Sequence, residues 1–150
     1  MTAQFVHLHL HSEFSLSDGL VRVKPLVKAA AARGMPAIAL TDQGNLFALI
    51  KFYRAALGAG LKPIIGVDVL VHDPEDHDKP SRMVLLARNP DGYACIKRLV
   101  SKGYLEGQQR GYPIVRSEWI RENAEGVLAL SGAREGDVGR ALLAGNTELA

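Results

Sequence analysis

Three histidines at alternate positions, His7, His9 and His11 in the stretch FVHLHLHSEFSLSDG (residues 5–19), limit this chain more than any other feature. Successive side chains of a strand point to opposite faces, so on a strand the imidazoles share one face and Val6, Leu8 and Leu10 the other; on a helix they would scatter. Two same-face imidazoles one pleat apart can reach a common cation at about 2.0–2.1 Å. Glu13 and Asp18, just downstream, would make such a site a mixed nitrogen and oxygen one. One packed histidine, one at the strand end in water and no metal would satisfy the same pattern, and spacing alone does not choose between the two.

Length and composition set the frame for that choice. With 150 residues, 47% of them hydrophobic, the chain has the size of one ordinary domain and can bury a real core. A net charge of +2 neither demands nor excludes nucleic acid. Cys95 is the only cysteine, which rules out an internal disulfide, and no histidine lies near it in sequence, so it reads as a small buried hydrophobe. No cationic-then-apolar leader and no long apolar run is present, which makes the reduced cytoplasm, away from any membrane, the expected setting.

Beyond the histidines, Ser15 to Gly19 reads as a polar turn. Lys24 begins a helix with Pro25 in its first turn, an apolar stripe of Leu26, Val27, Ala30 and Ala31, and Gly34 as its stop. Ala37 to Leu40 is a short apolar strand ending in Thr41-Asp42-Gln43-Gly44-Asn45, and Asn45 is placed to cap a helix carrying Leu46, Leu49, Ile50, Tyr53 and Leu57. Lys62 to Val71 forms the next strand. It contains Asp68, an acid that a buried strand tolerates only when paired, hydrogen-bonded, bound to a cation or open to water. His72, Asp73, Asp76, His77 and Asp78 lie in a polar loop to Arg82 and resemble a metal cluster only by count.

Met83 to Ala87 is a fourth strand, and Asn89-Pro90-Asp91-Gly92 opens a helix with Tyr93, Ile96, Leu99 and Val100 on one stripe. Leu105 to Val115 reads as a loop, Ser117 as the cap of a short helix bearing Trp119 and Ile120, Val127 to Leu130 as a fifth strand, and Asp137 to Leu143 as a helix. Lys97, Arg98, Lys102, Arg110, Arg116 and Arg121 bias this half towards positive charge, which fits a solvated face or contact with phosphates or an acidic partner.

Short apolar strands alternating with helices imply β-α units around a parallel sheet or barrel, with the chemistry at the carboxyl ends of the strands. His9, His11, Asp42, Asp68 and Ser131 all fall late in or just after predicted strands. Histidines and carboxylates converging there suit a hydrolytic metal centre with paired cations roughly 3.5–4 Å apart. A glycine-rich phosphate loop, a Gly-x-Ser-x-Gly elbow and a His-Glu-x-x-His helix are missing.

FVHLHLHSEFSLSDGL, GMPAIALTDQGNL, KFYRAALGAGLKPIIGVDV, VLLARNPDGY, GVLALSG and GDVGR together resemble, in order and over nearly the whole chain, the polymerase-and-histidinol-phosphatase (PHP) domain. Within that family they resemble the form that opens the alpha subunits of bacterial replicative DNA polymerase III. The resemblance implies part of a distorted, TIM-like barrel of seven β/α units, residues 1–150 being its amino-terminal portion with no second domain. It implies a ligand pattern as well. His9 and His11 match the family's His-x-His pair, Asp18 its turn acid, and Asp68 is a shortened stand-in for a glutamate. Gln43, Arg82 and Ala133 stand where metal-binding members place a histidine, a histidine and a cysteine, and none can replace an imidazole or thiolate ligand.

With those ligands gone, the expectation is a catalytically silent barrel holding at most a single residual divalent ion, zinc or manganese. The resemblance further implies a scaffold that docks the proofreading exonuclease subunit among other replicase subunits, with magnesium-dependent polymerase chemistry and DNA contact in the parent chain. The alternatives are a metal-dependent phosphoesterase built on His9, His11, Asp18 and Asp68, and a nucleic-acid-binding module using the basic half. Strand edges of an incomplete barrel predict self-association of the fragment.

Overall fold

Glycine and proline punctuate the chain where its elements change. Gly34 adopts φ +68° directly after helix α1 (Val23–Ala32), and Pro36 then bars any continuation before strand β1 (Ala37–Leu40). In a computed structural model, residues 5–72, 79–122 and 124–150 are described, and the chain divides into two units, Met1–Val67 and Asp68–Ala150. Asp73, Asp76, His77 and Asp78 lie outside the described residues, so of the expected acidic cluster only His72 is described.

In the first unit, β1 is buried at all four positions and pairs in parallel with the beginning of β2 (Lys62–Val71), from Ala37 opposite Lys62 to Leu40 opposite Ile65. Helix α1 and helix α2 (Leu49–Gly58) pack on each other. Val23, Val27, Ala30, Ile38, Leu40, Phe52, Ala56 and Leu61 close the core. The stripe of α2 differs from the sequence expectation. Leu49, Phe52 and Ala56 face inward while Ile50, Tyr53 and Leu57 are exposed, because the helix begins at Leu49 and its register is set by Phe52 and not by the more numerous aliphatic residues. Asn45 does not cap this helix. Its amide donates to the carbonyls of Phe14 and Gln43 and its Oδ1 accepts from the Phe47 amide, which clamps the loop ahead of the helix.

The second unit is built on a sheet whose strand order is β4-β5-β2-β3-β6, with β3 at Ser81–Ala87, β4 at Gln108–Gln109, β5 at Tyr112–Val115 and β6 at Val127–Leu130. Helix α3 (Pro90–Glu106) packs against β3, β5 and β6, buries Cys95, Ile96 and Leu99, and is capped by Asn89, whose side chain accepts from the Gly92 amide. The stretch expected to be a loop at 105–115 contains the β4–β5 hairpin, reversed at Arg110 (φ 50°) and Gly111 (φ +86°). Ser117 is the first residue of helix α4 (Ser117–Arg121) and not its cap, which falls on Arg116 with no side-chain bond.

The sheet is mixed and, among the described residues, open; its parallel pairs are β1–β2 and β2–β5, while β3–β6 is antiparallel. The expected all-parallel alternation fails at a visible place. Sheet neighbours β2 and β3 are joined by residues 72–80 alone, whereas a parallel crossover needs about a dozen residues or more, usually with a helix. Helix α5 (Asp137–Leu143) follows a 3-10 turn at Ala133–Glu135 and packs on it. Among the described residues no helix is long and apolar enough to cross a membrane.

Candidate metal centre

The histidine segment does not form a regular strand. Residues 7–11 run extended beside β1, held where the amides of Ala39 and Thr41 donate to the carbonyls of His7 and Leu10 (both 2.9 Å). The side chain of Thr41 completes the attachment, accepting from the Leu10 amide at 2.8 Å. The even alternation of faces expected of a strand is accordingly lost. Leu8 is exposed and the His7 and Phe5 rings meet at 87°, while His9 and His11 remain together. Their Nε2 atoms lie 3.3 Å apart, with the rings edge-on at 81°.

That separation can be tested against coordination chemistry. Two nitrogens bound tetrahedrally at about 2.0–2.1 Å stand about 3.3–3.4 Å apart, so the pair fits two ligand positions of one cation. Asp18 does not join them in a three-ligand group; it is exposed at the end of the 3-10 turn Glu13–Asp18. Glu13 is turned to other partners, with Oε1 3.2 Å from Lys51 Nζ and Oε2 4.0 Å from Arg22 Nε.

Asp42 takes a role that sequence reasoning missed. It is 2% exposed and accepts three hydrogen bonds, from the Ser12 amide (2.6 Å), the Ser12 hydroxyl (2.8 Å) and the Ser15 hydroxyl (2.8 Å). The Ser15 oxygen in turn accepts from the Gln43 amide at 3.0 Å. Asp42 therefore ties the end of the histidine segment to the end of β1, positioning the imidazoles without touching them. A buried Thr-Asp after an apolar strand, facing serines three residues apart, was the available signal.

In the second unit Asp68 is buried in β2, and Arg82, at the start of β3, meets it with Nη1–Oδ2 at 2.9 Å. The same guanidinium holds Glu135 through Nε at 2.7 Å. One cation thus bridges two carboxylates, and its charge, unlike a histidine's, cannot be titrated away. Ala133, at the other substituted ligand position, takes φ 50° at the opening of the 3-10 turn, and Ser131 precedes that turn. Gln43, the remaining one, sits in the loop after β1. The two imidazoles of the first unit thus match two positions of one ion, and the buried acid of the second unit is paired with arginine.

Cys95 is buried on α3. Burial pushes its thiol up, with Arg98 opposing in part, as expected for packing and not for a nucleophile.

Comparison with known proteins places these features. The PHP domain family model matches residues 7–150. DNA polymerase III subunit alpha of Pseudomonas aeruginosa is 54% identical over 145 residues, covering 97% of this chain and 12% of that protein. The subunit of Escherichia coli K12 is 49% identical over 146 residues, covering 97% of this chain and 13% of its own length. The chain thus spans about an eighth of these relatives. Among solved structures, a protein assigned as a metal-dependent phosphoesterase from Bifidobacterium adolescentis aligns with a TM-score of 0.52 at 22% identity, over 67% of this chain and 33% of that one. That likeness is one of fold.

Proposed function

This chain belongs to the PHP-domain family, and on that premise we propose that it is the PHP segment of a bacterial replicative DNA polymerase III alpha subunit, in which the domain is a scaffold and not a hydrolase. Relatives of that name, matching 97% of the chain at 49–54% identity, support the parent protein. The observation that carries the silent role is the Arg82 guanidinium on Asp68. It sets a permanent positive charge beside the acid that stands in for a metal ligand, where binding a second cation would cost Coulombic energy.

On this reading the segment is part of a barrel completed by residues of the parent chain. Of the family's ligand pattern the sequence keeps His9, His11, Asp18 and Asp68, a remnant for at most one zinc or manganese ion. DNA is engaged through the parent polymerase in the cytoplasm, where magnesium serves nucleotidyl transfer. The surface of the domain docks the proofreading exonuclease subunit and other replicase subunits. The rival reading, a metal-dependent phosphoesterase, is favoured by one observation, the 3.3 Å separation of the two imidazole nitrogens.

Full-length parent protein carrying His9→Ala and His11→Ala separates the two. Primer extension and co-purification with the exonuclease subunit are expected to survive, with no phosphoesterase activity in either form. Phosphoesterase activity that is present in the wild type with added zinc or manganese and lost in the double variant would establish the rival.

A further inference from the structure

The basic bias of the second half is concentrated, in the folded chain, on one stripe of α3. Lys97, Arg98, Ser101, Lys102 and Leu105 line a shallow groove at helical intervals of three and four residues, with Glu106 the one carboxylate at its end. Aromatic rings fix the cations. Lys97 Nζ lies 4.7 Å above the Tyr93 ring, and Lys102 Nζ and the Arg116 guanidinium lie 4.4 and 5.2 Å from the centre of Trp119, itself buried at the start of the next helix. Such cation–π seats hold the charged ends in place, so less freedom is lost when a ligand is bound.

We propose that this stripe of Lys97, Arg98 and Lys102, extended by Arg116, contacts the phosphodiester backbone of nucleic acid without reading its sequence. The helical rise places Arg98 and Lys102, one turn apart on the same face, about 6 Å apart along the axis, a spacing suited to successive phosphates of an extended strand. The groove is shallow and offers no deep apolar cavity for an anchoring side chain, which favours a regularly charged polymer over a folded or acidic protein partner. The surface deepens the polymerase reading, since it adds a contact on the PHP segment to those of the catalytic parts.

The test uses the full-length parent protein with p-benzoylphenylalanine in place of Ser101, and in a control in place of the exposed Tyr53, irradiated with a labelled thymidine oligonucleotide. Crosslinking at position 101 and not at 53 is expected. It should fall about tenfold when Lys97→Gln, Arg98→Gln and Lys102→Gln are combined, with the slope of log binding against log salt shallower by about two, at roughly 0.7 per phosphate contact on a single strand. Lys102→Arg, which keeps charge and ring contact, should crosslink like the parent and guards against a mere folding defect. Absence of crosslinking at saturating oligonucleotide, or its displacement by polyglutamate at lower charge concentration than by DNA, overturns the proposal, the latter in favour of an acidic protein partner. Primer extension measured in the same preparations reports on the polymerase reading separately, so the two can fail independently.

Discussion

At the scale of single residues, the proposed loss of metal chemistry turns on the arginine at position 82. A histidine there would offer a neutral ligand; the guanidinium brings a fixed charge that Asp68 and Glu135 share. The arginine is also structural, because removing one partner of a buried pair strands the other charge. Arg82→Ala is expected to destabilise the chain by about 3–5 kcal/mol, read by urea unfolding. A change within the range of ordinary surface substitutions would show that Asp68 is not ionised against Arg82. Cys95 gives a second prediction. Its thiol is pushed up by burial, so the folded chain keeps the proton to higher pH than the unfolded chain does. The contribution is therefore complete below the unfolded thiol value of about 8.5 and is lost as pH rises through the folded one. A thiol reagent at pH 8 should modify Cys95 far more slowly in the native chain than in urea, and equal rates would contradict its burial.

At the scale of elements, Asp42 joins two segments distant in sequence. Asp42→Ala removes the acceptor of three hydrogen bonds and leaves the buried Ser12 amide unsatisfied, a loss of about 3 kcal/mol or more. Hydrogen exchange should quicken at the amide of Ser12, and unchanged protection would contradict this account. The strands Ala37–Leu40 and Lys62–Val71 and the helix opening at Asn89-Pro90 were legible because each is stated locally, by apolar runs or by cap chemistry. What escaped depends on partners far along the chain. The histidine segment has strand periodicity but is bound to β1 by only a few hydrogen bonds, and Asn45 has a capping side chain recruited by Phe14 instead. The β4–β5 hairpin is two residues wide on one side, too short for any periodicity to register, although Arg110-Gly111 marked its turn. The histidine pair and the buried Asp68 could each be named from sequence. The Asp42 network was missed: the Thr-Asp after an apolar strand signalled an acid in need of partners, but not that Ser12 and Ser15, some thirty residues back, would supply them.

At the scale of the molecule, the chain spans about an eighth of the length of its relatives. Strand β6 stands at the end of the sheet order with Leu128 and Leu130 half exposed, the kind of edge that pairs with another strand. The 150-residue chain alone is expected to sediment as dimers or larger species, and a dilute, sharply melting monomer would contradict that expectation. The central claim, that a PHP domain here keeps its architecture while its metal chemistry has been dismantled, is tested most directly by mass spectrometric metal analysis. The parent protein would be equilibrated with zinc or manganese and compared with its His9→Ala, His11→Ala form. The account predicts a difference of no more than one ion per chain; a loss of two or three ions with the histidines would contradict it.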